Sequence, residues 1–193
     1  MAVAGVRLKK WTRAQWHRLI DRGVLGEDDR VELLDGDIVE MTPQSELHAA
    51  TVHIVSDALR QAFGAGFAVR VQSPVALDDR SEPEPDVSVV RGSQRDFRSE
   101  RPHAPDLIVE VALSSLETDR DRKSSLYARA GRPEYWIVNL DEMVVEVYRN
   151  PVRDGIGFYD GWSYGTVQTL HEGDHVSLLA VPGASVRVAD LLP

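Results

Sequence analysis

With 193 residues, 42% apolar and 27% charged, the chain has the size and balance of one globular domain with a full core, which excludes a disordered or membrane-embedded class. The absence of cysteine rules out disulfide frameworks, thiolate zinc sites and cysteine nucleophiles. A net charge of −9 argues against a tight nucleic-acid-binding module, whose phosphate contacts leave a basic footprint, but not against a metal-dependent enzyme acting on a transient substrate. No apolar run is long enough to span a bilayer, so no membrane partner is expected. Met1 to Lys10 lack the apolar stretch of a secretory signal, and a cytoplasmic location is the expectation. Basic residues that can still gather on one face are Arg91, Arg95, Arg98 and Arg101, and the run Arg120, Arg122, Lys123.

In chain order, Trp11 to Leu25 reads as a helix, with Thr12 as N-cap, Trp16, Leu19 and Ile20 as its apolar stripe, and Gly23 at its end. Arg30 to Met41 holds two β-rich runs around Asp35-Gly36, the signature of a tight hairpin. Ser45 to Phe63 has helical periodicity and stops at Gly64. Phe67 to Leu77 alternates as a strand, Asp78 to Pro85 is a polar loop with prolines, and Val87 to Val90 is a short apolar strand. Gly92 to Pro105 is a charged, mobile loop. Leu107 to Leu113 is apolar throughout except for Glu110, as in a strand buried on both faces. Leu116 to Ala130 is helical, and Tyr135 to Leu140 pairs with Val144 to Tyr148. Thr166 to Leu170 and His175 to Leu179 are strand-like, and Val186 to Leu192 closes the chain as an amphipathic segment. This order predicts a single α/β domain over 1–193, a mixed β-sheet flanked by helices, with an N-terminal helix and hairpin and a C-terminal β extension.

Glu110 is the most informative residue. A carboxylate inside a run that wants burial needs a cation or hydrogen-bond partners, because leaving it unpaired costs several kcal/mol, roughly. Alone it can equally pair with an arginine or lie on a half-exposed face. Asp86 follows Pro85 at the mouth of the Val87 to Val90 strand; alone it reads as a loop aspartate satisfying turn amides. Together on neighbouring strands, Asp86 and Glu110 form a hard-oxygen site suited to Mg²⁺ or Mn²⁺. Asp119, Lys123 and Tyr127 fall on one helical face, either as a surface ion pair with a neighbour or as a lysine held near a metal. Glu32, His48 and Gln72 are auxiliary candidates. Ser114 and Ser115 lack the Gly-x-Ser-x-Gly elbow of a serine hydrolase.

The motifs occur in a set order: Glu32-Leu-Leu-Asp-Gly36, Met41-Thr-Pro43 with His48, Pro85-Asp-Val-Ser-Val-Val90 and Pro105-Asp-Leu-Ile-Val-Glu-Val111. The last and most specific is Asp119-x-x-x-Lys123-x-x-x-Tyr127-x-x-x-Gly131-x-Pro133-Glu-Tyr-Trp-Ile-Val138. The succession resembles the PD-(D/E)xK restriction-endonuclease-like superfamily, and within it the bacterial Uma-two endonuclease family, from about Trp11 to the C-terminus. The resemblance implies a restriction-endonuclease-like core that hydrolyses phosphodiesters with Mg²⁺ or Mn²⁺. Asp86, Glu110 and the backbone carbonyl of Val111 are the implied metal ligands, and Lys123 the catalytic lysine. The superfamily's usual lysine position, two residues after the second acid, is Ala112 here, so the lysine is carried on the following helix. Ser114-Ser115-Leu116 stands where family members often have Ser-Pro-Ser.

The leading expectation is thus a metal-dependent nuclease acting on nucleic acid, with DNA favoured. Glu32, His48 and Gln72 assist, Tyr127 packs or contacts phosphate, and Gly92 to Pro105 grips the backbone. A homodimer fits duplex cleavage. The alternative is a catalytically silent protein of the same fold, acting as a DNA- or protein-interaction module through the aromatic stretch Phe158 to Tyr164. A third is a hydrolase of another phosphoester or small molecule.

Overall fold

The computed structural model describes residues 8–193, so Met1 to Arg7 of the N-terminal stretch read above lie outside the described residues. Helix α1 (Arg13–Asp21) opens with a reciprocal cap: Thr12 Oγ1 accepts from the Gln15 amide, and Gln15 Oε1 accepts from the Thr12 amide. It ends before the expected Leu25, because Gly23 turns to φ +66° and the amides of Val24 and Leu25 fold back onto the Leu19 carbonyl. Strands β1 (Val31–Leu34) and β2 (Asp37–Glu40) form the expected hairpin. Asp35 and Gly36 both have positive φ, the geometry of a type I′ turn. Helix α2 (Glu46–Phe63) is capped by Ser45, whose hydroxyl accepts from the His48 amide, and it stops at Gly64.

The core is a six-stranded mixed sheet in the order β3-β4-β5-β6-β7-β8. Its strands are β3 (Phe67–Val71), β4 (Val87–Arg91), β5 (Leu107–Ala112), β6 (Glu134–Asn139), β7 (Val144–Arg153) and β8 (Trp162–Leu170). Only β5 and β6 run parallel, and the crossover between them is α3. This segment begins at Leu116–Thr118, passes through a π-helical turn at Asp119–Lys123, and continues as α-helix over Ser124–Arg129. Strand β3 is shorter than the expected Phe67 to Leu77. Beyond Val71 the chain leaves β4 to enclose the loop that pairs Leu33 with Glu82. Gly92 to Pro105, read as a mobile loop, carries a 3-10 turn at Gln94–Phe97.

Two apolar layers sandwich the sheet. Alternation along β5 sends Leu107, Val109 and Val111 to one face, where they pack on Val52, Val55 and Leu59 of α2. Ile108 and Ala112 face the other side, against Tyr127 of α3 and Tyr135. The C-terminal β extension, β9 (His175–Ser177) with β10 (Ser185–Arg187), adds Val176, Val186, Val188 and Leu191 to the α2 side. The hairpin lies over α3, where Leu34, Leu126 and Tyr159 meet. Glu110 shares the parity of Ile108 and Ala112, so this layering aims its carboxylate at α3.

The hairpin turn is tightly enclosed. A Cβ on Gly36, at φ +79°, would lie 2.9 Å from both the Lys10 Cβ and the Trp11 carbonyl oxygen. Gly36→Ala is therefore expected to destabilise the fold by more than about 1 kcal/mol in urea denaturation. An unchanged midpoint would refute this account of the turn.

Candidate active site

The site forms where β4 and β5 part company. Their backbone pairing runs only from Val87↔Val109 to Val89↔Leu107, which leaves the Val111 amide without a strand partner on that side. Asp86, just before β4, fills the gap: its Oδ2 accepts from the Val111 amide at 2.9 Å. The same oxygen lies 3.2 Å from His48 Nε2 on α2, and Gln72 Nε2 approaches Oδ1 at 3.4 Å. Asp86 in turn offers its own amide to Glu110 Oε2 at 3.4 Å. The two acids are thus joined through the backbone of one another's strands.

Glu110 is 2% exposed. Its Oε1 accepts from Tyr127 Oη at 2.7 Å and lies 3.1 Å from Lys123 Nζ. Lys123 reaches it from the π turn of α3, a feature that recurs at functional sites because the widened turn redirects the side chains it carries. The same Nζ stands 3.6 Å from Glu32 and 3.7 Å from Asp119. Glu32 Oε2 accepts from the Glu84 amide at 3.2 Å, which ties the hairpin to this cluster. Asp119 accepts from Ser115 Oγ at 2.6 Å, while its other oxygen is buried with no hydrogen-bond partner. The cleft above these groups, about 120 Å³, is lined by Glu32, Glu84, Asp86, Glu110 and Asp119 with His48 and Lys123.

Every candidate residue read from the sequence meets here, with differences in detail. Asp86, Glu110, Lys123, Glu32 and His48 line the cleft, and Gln72 touches Asp86. Gln72 does so from a left-handed conformation at φ +42° just past β3, not from within a strand as expected. Tyr127 is fully buried with its hydroxyl committed to Glu110, a packing and anchoring position rather than a phosphate contact. Asp119 and Glu84 were the residues sequence reasoning left out of the site. Asp119 was visible only as the helical partner of Lys123, and Glu84 as one acid in a polar loop. Ala112 is fully buried against the tyrosine cluster and has no room for a lysine. The expected basic run is largely spent elsewhere: Arg120 pairs with Glu146, Arg122 with Asp37, and Lys123 points inward.

Crowded acids shape the electrostatics. Burial pushes the Glu110 carboxyl well above the ordinary range; Lys123 opposes this, while Asp119, Asp86 and Glu32 reinforce it. Burial likewise raises Asp119, against Lys123 and the Ser115 hydroxyl. Burial acts to neutralise Lys123, but Glu110, Glu32, Asp119 and Asp86 together hold its ammonium well above the usual value. Asp86 is also buried, yet His48, the Val111 amide and Lys123 bring it below the ordinary range. For His48, burial is outweighed by Asp86, the Val111 carbonyl and Asp119, and the imidazole is raised.

Donor chemistry here suits a hard divalent cation, since carboxylate oxygens dominate and one ammonium cannot balance them. Among the described residues no three His, Asp or Glu side chains are gathered into a ready-made cage. Mg²⁺ and Mn²⁺ keep several waters and need only one or two carboxylates. Asp86 Oδ1, Glu110 Oε2 and the Val111 carbonyl would be the protein's contribution.

Without divalent ions, the raised Glu110 binds its proton more tightly in the folded than in the unfolded chain. Its stabilising contribution is complete below the unfolded value of about 4.3 and is lost as pH rises through the higher folded value. Glu110→Gln keeps an acceptor for Tyr127. It is expected to melt higher than wild type at neutral pH in chelator, and to lose less stability as pH rises through that window. A melting profile identical to wild type would contradict the electrostatic account.

The fold has a solved counterpart. The crystal structure of a "putative nuclease belonging to DUF820" from Anabaena variabilis ATCC 29413 superposes with a TM-score of 0.68, covering 94% of this chain and 97% of that one at 17% identity. That likeness shows a shared fold, the mixed sheet with its flanking helices. No curated protein matches the chain. A family model described as "Putative restriction endonuclease" matches residues 14–189, from within α1 to just past β10. The chain belongs to this restriction-endonuclease family, Uma2.

Proposed function

We propose that the protein is a Mg²⁺- or Mn²⁺-dependent nuclease that hydrolyses phosphodiester bonds in nucleic acid, with Asp86 and Glu110 as metal ligands and Lys123 as the catalytic cation. The observation that carries the reading is the convergence of these three residues, from β4, β5 and α3, on one acidic cleft in a chain of this family. When bound, the ion would polarise the phosphoryl oxygen and lower the pKa of its water.

The chain's own groups supply the rest. Asp86 is locked in place by the Val111 amide and by His48, which keeps one carboxylate oxygen turned to the cleft. Glu110 is fixed by Tyr127 Oη, so its position does not depend on the ion alone. Lys123 Nζ keeps its proton among the surrounding carboxylates and holds a positive charge where negative charge develops on phosphate oxygens. Glu32 and Asp119 hold that ammonium at the cleft wall. Tyr127 acts on the reaction through Glu110, as a positioning residue.

Titration calorimetry with Mn²⁺, run beside plasmid cleavage, tests this. Wild type is expected to bind and to nick or cut, while Asp86→Ala and Glu110→Ala lose both. Lys123→Ala is expected to keep metal binding and lose at least about 100-fold in cleavage rate. Full cleavage by Asp86→Ala or Lys123→Ala would refute the assignment. Metal binding by wild type without cleavage of DNA or RNA would point to a catalytically silent nuclease fold, and no metal binding to an interaction module.

A further inference from the structure

A second charged feature lies one groove away from the acidic cleft and has no part in the chemistry above. The cleft shares Glu32, Met41, Gln44 and Glu84 with a neighbouring cavity of about 680 Å³ beneath α1. That cavity shares Pro74 and Arg101 with a third, of about 740 Å³, walled by Arg13, Arg70, Arg98 and Arg101. The three cavities adjoin through these shared walls, in order from the carboxylates to an arginine cluster. In a chain of net charge −9, four guanidinium groups around one cavity are a local inversion of sign.

Only part of that charge is neutralised internally. Arg13 and Arg101 pair with the buried Glu82, at 2.9 and 3.1 Å, and His17 shares the same carboxylate. Glu100 also lines the cavity. Arg70 and Arg98 make no ion pair among the described residues. Arg98 donates from Nε to the Arg95 carbonyl. Arg70 lies over the Phe97 ring at 5.6 Å, and its Nε is buried without a hydrogen-bond partner. Burial and the charge of Arg101 both disfavour its charged form, an unrelieved situation that an anion would relieve. Arg70 therefore lines the cavity with a guanidinium that no carboxylate among the described residues neutralises.

We propose that Arg70 and Arg98, backed by Arg13 and Arg101, grip the phosphodiester backbone of the nucleic acid on one side of the bond that is cut. Identification of the ligand rests on the nuclease reading; the arginine cluster itself does not. Guanidinium forks match phosphate oxygens in pairs, and the adjoining cavities lie between this cluster and Glu110. The surface is expected to be sequence-tolerant, because phosphate contacts fix position without reading bases.

The test separates binding from cutting. Fluorescence anisotropy of labelled DNA and RNA duplexes of equal length is measured in chelator, where no metal-dependent cleavage occurs, across a series of salt concentrations. For the duplex that wild type binds, Arg98→Gln is expected to lower the slope of log affinity against log salt by roughly one unit, and Arg70→Gln with Arg98→Gln by roughly two. Arg60→Gln, on α2 and outside all three cavities, is expected to leave the slope unchanged. Arg98 is exposed, so its single variant reads the surface even where the double variant melts early. Wild-type slope and affinity in Arg98→Gln, or no binding of either duplex at low salt, overturns the proposal. Failure of the nuclease reading shows separately, as absent cleavage by wild type with added Mg²⁺ or Mn²⁺.

Discussion

A carboxylate on a strand whose every position is buried sets the terms for the rest of this molecule. Glu110 cannot be hydrated where it stands, so its neighbours must supply what water would have supplied. Tyr127 gives a hydroxyl and Lys123 a charge, and both come from the crossover α3. Their approach requires α3 to lie close over β5, which the tyrosine layer achieves: Tyr127 stacks obliquely on Tyr135, whose hydroxyl donates to the Asp119 carbonyl. The packing of an entire face of the sheet is thus tied to the solvation of one side chain.

The other face works by a different rule. There α2 and the C-terminal strands bury a conventional aliphatic core on Leu107, Val109 and Val111. The polar event occurs at the rim, where β4 stops pairing with β5 and the Asp86 side chain substitutes for a missing strand carbonyl. A sheet that ends its ladder early must satisfy the freed amides somehow. Here the substitute is a carboxylate lining the cleft, so its structural role and the metal-binding role proposed for Asp86 are inseparable.

Much of this could be read from residue order. Thr12 and Ser45 marked helix starts because caps depend on local contacts, and Asp35-Gly36 marked its hairpin because two left-handed residues are demanded there. Glu110 stood out because a single charge breaks an apolar run. What stayed hidden depends on distant partners. The Asp119–Lys123 spacing looked like an ordinary exposed helical pair, and only burial under the hairpin makes it part of the cleft. The end of β3 at Val71 follows from the loop that returns to meet Leu33, and no local signal announces it. Arg70 sits on an alternating strand like any half-exposed arginine. Its meeting with Arg13, Arg98 and Arg101 belongs to tertiary structure alone.

The placement of the lysine on α3 rather than on β5 divides the site between two mechanical bodies. A lysine at position 112 would ride the central sheet and hold its station for as long as the sheet survived. Lys123 instead depends on the seating of a short crossover, held by contacts such as Ser125 Oγ with the Trp162 carbonyl and Arg122 with Asp37. Local opening of such a segment needs less free energy than global unfolding. Lifting α3 withdraws Lys123 and Tyr127 together and leaves Asp86 on its strand amide. Of the groups around the cleft, Asp86 is thus anchored by the sheet, whereas Lys123 and Tyr127 depend on the seating of one helix.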